Sequence, residues 1–449
     1  MLPCGQNNRD GIALNSPATM NRLDLFPVTT RIENETLTIA GQNLASLADR
    51  YQTPLYLYDS ATLNILAQTY ARALSAHYPG LSNITYAGKA FLCKAIAQWT
   101  QAHALTVDCT GEGEIGIVIA AGVPREKILV HGVNKSISDL KAAIQHAGTI
   151  VADNLSELHR IINLPAANLP TLWLRLLPGV SVTTHHVHTQ TGHHESKFGM
   201  TREEILEAAA FCNEHGLPIN GIHFHQGSNF RDPEPLIPAV EMALDLAKEI
   251  GFKNEWHFCP GGGWGVAYHE DELPHPSIES YVRGISEAVI EGCNSRGIDL
   301  PHLHLEPGRS LVAQAGVAIY RVGAVKKRGH KTWLLADGGM ADNPRYALYG
   351  ARYSCLPVTG VGLERSESVS IAGPYCESGD IVIEDLPMPR IQEGDLIAIP
   401  MSGAYQLSMS SNYNGARKPA VVWLEEGNVK LIQDRERVED LLRRDLALG

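Results

Sequence analysis

The chain has 449 residues, a formal net charge of -12, 44% hydrophobic residues and eight cysteines. That length exceeds one ordinary domain and suits a large barrel with a second unit, and an acidic chain without a Lys/Arg block argues against a nucleic-acid partner. No window approaches 18 uninterrupted apolar residues, and residues 1–8 lack the charged-then-apolar order of a secretory leader, so a cytoplasmic protein without a membrane partner is expected.

Residues 1–25 are polar, rich in Asn, Pro and Gly and without a period, which predicts a disordered extension. Residues 37–57 hold a short strand, a helix-like 43–50 and the start of a strand at 55–58, before a long helical stretch over 61–78. A pattern then repeats: a strand-like run, a chemically useful residue, a Gly-bearing loop and an amphipathic segment. The runs fall at 83–86, 105–108, 127–131, 149–153, 171–176, 220–225, 255–259 and 302–306, with helical patterns at 91–103, 114–121, 137–146, 202–215, 235–250 and 278–294. Eight strands alternating with helices imply parallel crossovers, and closing them gives a (β/α)8 barrel with its chemistry at the C-terminal strand ends. Lys89, Asp108, His131, Asp153, Arg175, His225 and Glu306 fall at those ends.

After Gly308 the texture changes to short alternating runs at 313–325, 331–336, 369–372, 380–384, 395–400 and 420–424, expected as an antiparallel β-barrel or sandwich, with a helix at 437–448. The expected division is an extension at 1–25, a barrel at 58–308, and a β domain built from 26–57 and 309–449.

Lys89 follows a strand within Tyr86-Ala-Gly-Lys-Ala, between small residues that leave room for something flat. Burial there would lower its pKa and favour the neutral amine that attacks an aldehyde. The plainer reading is a surface lysine. Gly261, Gly262 and Gly263 offer bare amides to a phosphate at the end of the seventh run, and His223-Phe-His-Gln-Gly-Ser places His225 to stack on a ring and Ser228 to donate to phosphate, with His223 read as a core histidine bonded to backbone. Glu306-Pro-Gly-Arg brings a carboxylate and a guanidinium to one rim, where the carboxylate would keep a pyridine nitrogen protonated. Together these are the parts that pyridoxal phosphate requires.

From about residue 35 to 425 the sequence resembles the barrel-fold, alanine-racemase-like pyridoxal-phosphate decarboxylases, and within them the diaminopimelate decarboxylases. The resemblance implies that Lys89 carries the cofactor, that His225 stacks on its ring, and that Ser228 with Gly261, Gly262 and Gly263 holds its phosphate. It also sets Glu306 at the pyridine nitrogen, with Asp108, Gly308 and Tyr405 at the cofactor, and gives Arg309 to both cofactor and substrate. Asp342-Asn-Pro-Arg-Tyr-Ala-Leu-Tyr resembles the family's substrate clamp, implying Arg345 and Tyr349 on a distal carboxylate, with Tyr405 of Gly-Ala-Tyr also reaching substrate. Cys376-Glu-Ser-Gly-Asp resembles the motif whose cysteine acts across a dimer interface as proton donor, beside Glu377.

The implied activity is decarboxylation of meso-diaminopimelate to L-lysine by a homodimer with composite sites. A same-fold decarboxylase of D-lysine, D-ornithine or a secondary-metabolism substrate is the nearest alternative. A racemase leaves the cysteine motif without a use, and a homologue that binds the cofactor without catalysis is expected to have lost the lysine or the acid, both of which are present. One departure is a loop with five histidines at 185–194. It is read as a lid that touches substrate, and no metal site is expected.

Overall fold

The computed structural model describes residues 22–166, 168–179, 195–253 and 255–448. The five-histidine loop and residues 1–21 lie outside them.

Eight parallel strands close into a barrel: β1 (Ser82–Ala87), β2 (Thr106–Cys109), β3 (Ile128–Val130), β4 (Thr149–Ala152), β5 (Thr171–Arg175), β6 (Ile219–His223), β7 (His257–Cys259) and β8 (His302–Leu305). Each pairs with the next, and β8 returns to β1 with Leu303 opposite Ser82 and Leu305 opposite Ile84. Such strands are covered by helices outside and filled from within, which is why their sequences run apolar with little alternation. The helices between them are set by local chemistry. Ser136 and Thr201 open Ile137–His146 and Arg202–Glu214 with reciprocal capping boxes to Asp139 and Glu204, and Gly251 ends Ile237–Ile250 at φ 80°. Leu155–Ile162, capped by Asn154, fills the crossover between β4 and β5, where the sequence reading named no helix. Eight residues give too few turns for a period to stand out.

The second unit is a nine-stranded sheet, mostly antiparallel, whose long central strand Gly316–Arg328 pairs with Lys331–Ala336, with Leu396–Ile399 and with Leu55–Asp59. The sheet is mostly antiparallel, as expected, with two parallel seams, Leu55–Asp59 with Ala420–Glu425 and Lys331–Ala336 with Glu367–Ala372. The strand Leu55–Asp59 bridges both units: it sits inside the sheet, and its Asp59 side chain accepts from the Thr62 amide (3.0 Å) to open the helix Ser60–His77.

Two expectations at the chain ends are corrected. Residues 22–25, assigned to a disordered extension, are packed: Leu25 is buried, and the guanidinium of buried Arg22 pairs with Glu270 (2.6 Å) and donates to the carbonyls of Cys355 (3.2 Å) and Pro387 (2.8 Å). At the other end the helix expected over 437–448 is only Val438–Leu442, because Leu446 and Leu448 lie fully in solvent and a short helix without a packed face does not propagate.

Arg22→Ala strips the partner from a mostly buried carboxylate and should cost about 3 kcal/mol. A fall in the denaturant midpoint with an unchanged slope checks this; an unchanged midpoint would mean that residues 22–25 only rest on the surface.

Candidate active site

Two adjoining cavities of about 220 and 290 Å³ open at the C-terminal end of the barrel and share Lys89, His225 and Glu306. Lys89 stands on the one-turn helix Gly88–Ala90 that follows β1. A Cβ at Gly88 would meet the carbonyl of Asp108 at 2.6 Å and one at Gly308 the Cβ of Ala87 at 3.0 Å, so these glycines let β1, β2 and β8 converge beneath the lysine.

The lysine's side chain is exposed to the cavity that it lines. Its charge state differs from the sequence expectation. Burial does push the amine down, but the facing Asp108, Tyr405 and Glu306 outweigh it and raise the pKa above the ordinary lysine value. With no ligand bound, Lys89 is an ammonium at neutral pH.

Glu306, just past β8, is buried and bonded on both oxygens: His131 Nε2 donates to Oε1 (2.9 Å) and His223 Nε2 to Oε2 (3.1 Å). Burial alone would raise this carboxyl, yet the two imidazoles hold it well below the usual range. Burial pushes His223 itself down to about 3, so it donates as a neutral ring. The reading of His223 as a core histidine bonded to backbone is therefore corrected: its partner is a carboxylate. His225 is also held neutral, chiefly by burial and then by the charges of Lys89 and Arg175, and its Nδ1 accepts from the Gly262 amide (3.3 Å). Asp108 lies 3.9 Å from His131, with one carboxylate oxygen buried and lacking a hydrogen-bond partner.

The three glycines after β7 lock into their neighbours. A Cβ on Gly262 would stand 1.9 Å from the carbonyl oxygen of Glu306 and one on Gly263 2.3 Å from that of Gly227, while Gly261 and Gly263 adopt φ 75° and 102°. Gly261 also accepts from the Glu306 amide (3.0 Å). Only glycine fits this cradle.

Across the cavity, Arg309 Nη2 donates to Ser228 Oγ (2.9 Å), and its guanidinium lies 4.8 Å from the ring centre of Tyr405 and 5.6 Å from that of Tyr268. Arg345, from the short helix Arg345–Tyr349, lies 4.5 Å from the ring centre of Tyr268 and donates to Tyr353 Oη (2.6 Å). Burial would raise the Tyr268 phenol, but the two guanidinium groups outweigh it and lower its pKa. Tyr349 lines the same wall. Sequence reading missed Tyr268 and Tyr353, since neither belongs to a motif and only the packing sets Tyr268 against both arginines and Tyr353 against Arg345.

Cys376 and Glu377 are the residues the protomer does not bring in. Both are exposed on the loop between Glu367–Ala372 and Ile381–Met388, and neither lines the cavities. The loop is shaped from below by Asp380, which accepts from the amides of Met340 (2.7 Å) and Tyr375 (2.8 Å). A Cβ on Gly339 or Gly373 would come within 2.3 Å of that carboxylate.

A closed barrel with a lysine, an ionised carboxylate and a glycine cradle at its top belongs to the pyridoxal-dependent decarboxylases, and the family model for their pyridoxal binding domain matches residues 65–313. A diaminopimelate decarboxylase of Bacillus subtilis (strain 168) is 38% identical over 91% of this chain and 95% of its own. The crystal structure of diaminopimelate decarboxylase from M. jannaschii superposes with a TM-score of 0.85 at 29% identity, covering 93% of this chain and 98% of that one. The Helicobacter pylori enzyme, complexed with L-lysine, gives 0.79 at 29% identity, covering 89% and 98%. The chain belongs to the diaminopimelate decarboxylase family.

The residues fit pyridoxal phosphate, the family's cofactor. The cradle excludes any Cβ, and a carboxylate oxygen of Asp108 and Nε of Arg309 are buried without partners beside the cavity. Gly262→Ala should weaken cofactor retention about 5- to 150-fold, since overpacking a rigid turn costs about 1–3 kcal/mol; bound cofactor, read by visible absorbance after dialysis, checks it. The raised pKa of Lys89 gives a second expectation. Only the neutral amine reacts with the aldehyde, so covalent loading of the cofactor-free protein accelerates with pH, about tenfold per unit well below the lysine's pKa. A rate flat between neutral and alkaline pH would show the amine to be already neutral.

Proposed function

We propose that this protein decarboxylates meso-diaminopimelate to L-lysine and carbon dioxide, the last step of lysine biosynthesis, as a cytoplasmic homodimer. The observation that carries the reading is the pair of buried guanidinium groups, Arg309 and Arg345, on one wall of a cavity whose other wall is Lys89 and Glu306. Arginine recognises carboxylates in a planar, two-pronged geometry, and a substrate with a carboxylate remote from the reacting carbon gives the second arginine a use. A substrate without that group would leave a buried cation unpaired.

Roles follow from position. Lys89 carries the cofactor. The amides of Gly261, Gly262 and Gly263 and the hydroxyl of Ser228 hold its phosphate, Arg309 reinforces that end through Ser228, and Gly308 keeps the approach narrow. Neutral His225 offers a ring face without charge. Glu306, kept ionised by its two imidazole donors, accepts from the cofactor's ring nitrogen, and Asp108 balances the positive charge around it. Bound pyridoxal phosphate supplies an electron sink for the charge left at Cα when carbon dioxide departs. Arg345 and Tyr349 hold the distal carboxylate, and Tyr405 closes the site beside Arg309.

The remaining need is a proton for Cα, and no thiol of this protomer lines the cavities among the described residues. The partner subunit's Cys376 supplies it, with the partner subunit's Glu377 facing the substrate's distal end. The exposure of both residues on a loop fixed by Asp380 supports this arrangement. On this reading the barrel (58–308) carries the cofactor while the β domain (26–57 and 309–449) carries the distal clamp and the dimer face.

The test is carbon dioxide release, with product identification, from meso-diaminopimelate, both enantiomers of lysine and of ornithine, and L-arginine. Release from diaminopimelate alone, yielding L-lysine, is expected; faster release from D-lysine or D-ornithine would retain the chemistry and discard the substrate. Arg345→Leu should cost about 2 kcal/mol or more in kcat/KM on diaminopimelate, mostly as raised KM, with the cofactor's absorbance unchanged.

A further inference from the structure

The inside of the barrel changes character from top to bottom. Beneath the Glu306 layer, Leu129, Val151, Trp173 and Cys259 form a separate apolar cluster. Below it, at the N-terminal end where such barrels usually pack branched aliphatic side chains, lie three imidazoles: His257 opens β7, and His302 and His304 stand on one face of β8. Their ring centres are 4.4–5.1 Å apart, and Trp173 closes over them at 4.7 Å from His304 and 5.4 Å from His257. None of the three touches the cavities at the other end.

We propose that this floor is a binding site for a divalent first-row transition cation, zinc being the ion its chemistry suits, ligated by His257, His302 and His304. One nitrogen from each ring lies within 4.8 Å of the others. His257 Nδ1 and His304 Nε2 approach to 2.9 Å. Two nitrogens bound tetrahedrally to zinc at about 2.0–2.1 Å stand roughly 3.4 Å apart, so the rings of His257 and His304 need part by only a few tenths of an ångström, while His302 closes in from within 4.8 Å. The other nitrogen of His304, Nδ1, is buried without a hydrogen-bond partner, as is Nε1 of Trp173. That fails to account for the group as a closed network of satisfied histidines.

Burial also lowers all three imidazoles, His257 to about 4, so no proton competes with a cation at neutral pH. Imidazole suits zinc, nickel, cobalt and copper, and three protein nitrogens leave one position for water. His257 and His302 are partly exposed, which gives an entry. Lys127 faces His302 and His304 with a positive charge, its ammonium tied to the Ala104 carbonyl (2.8 Å), and works against the cation. A bound ion would tie β7 to β8 under the strands that carry the glycine cradle and Glu306. The expectation of no metal weighed only the histidines at 185–194, which these are not.

The test uses the cofactor-loaded protein, in which the His131, His223 and Glu306 cluster at the top is covered. Calorimetric titration with Co2+ and Zn2+ compares the wild type with His302→Gln and His257→Gln, retained cofactor absorbance showing that each variant is folded. The wild type should take up one equivalent more than either variant, or bind at least about tenfold tighter, and Lys127→Gln should tighten binding. The histidines at 185–194 are common to all the proteins and cancel in the difference. Identical stoichiometry and affinity in the wild type and both variants overturns the proposal. Should both variants lose the fold, Co2+ quenching of tryptophan fluorescence decides: quenching that disappears in Trp173→Phe supports the site, and quenching unchanged there contradicts it.

Discussion

The carboxylate of Glu306 is the group on which the cofactor end of this molecule depends. It is buried at the end of β8, and an ionised carboxylate there is tolerable only because His131, just past β3, and His223 from β6 each give it a hydrogen bond. The same carboxylate helps keep Lys89 charged and is braced through its own backbone, its amide donating to Gly261 and its carbonyl lying where a Gly262 side chain would be. A replacement at any of these positions therefore disturbs charge, position and backbone together, although they lie far apart in sequence.

The substrate end follows a different rule. Arg309 and Arg345 are buried beside one another's fields, and aromatic rings hold them: Tyr268 lies against both, with Tyr405 against Arg309 and Tyr353 bonded to Arg345. Phenols accept hydrogen bonds without neutralising a guanidinium, so the positive field stays available for a carboxylate that arrives. Within one protomer no thiol lines this cavity among the described residues, and the loop of Cys376 is exposed. The proposal of a composite site joins those two facts.

Much of this was legible in the sequence because parallel barrel strands are covered on both faces and interrupted by glycine. Each expected run overlaps an observed strand, and Lys89, His225 and Glu306 fall together as their strand-end positions implied. Pairings that depend on tertiary structure were not legible. The period of an isolated strand does not reveal whether its neighbour is parallel, and the eight residues of Leu155–Ile162 are too few to show a helix. A single tyrosine such as Tyr268 carries no spacing signal. Charge states were the least accessible: burial around Lys89 was inferable, but the opposing Asp108, Tyr405 and Glu306 that reverse its effect converge only in the fold. The same holds for the three histidines beneath Trp173, two of which sit on one strand and the third on its neighbour.

The most direct test of the composite site is subunit complementation. Lys89→Ala and Cys376→Ala proteins, each purified as inactive, are mixed, dissociated and reassociated, and carbon dioxide release from meso-diaminopimelate is measured. If one subunit's lysine works with the other's cysteine, mixed dimers hold one intact site and activity returns on mixing. Activity that stays at the level of the separate variants, with mixed dimers shown to form, would place both groups in the same chain and contradict the account.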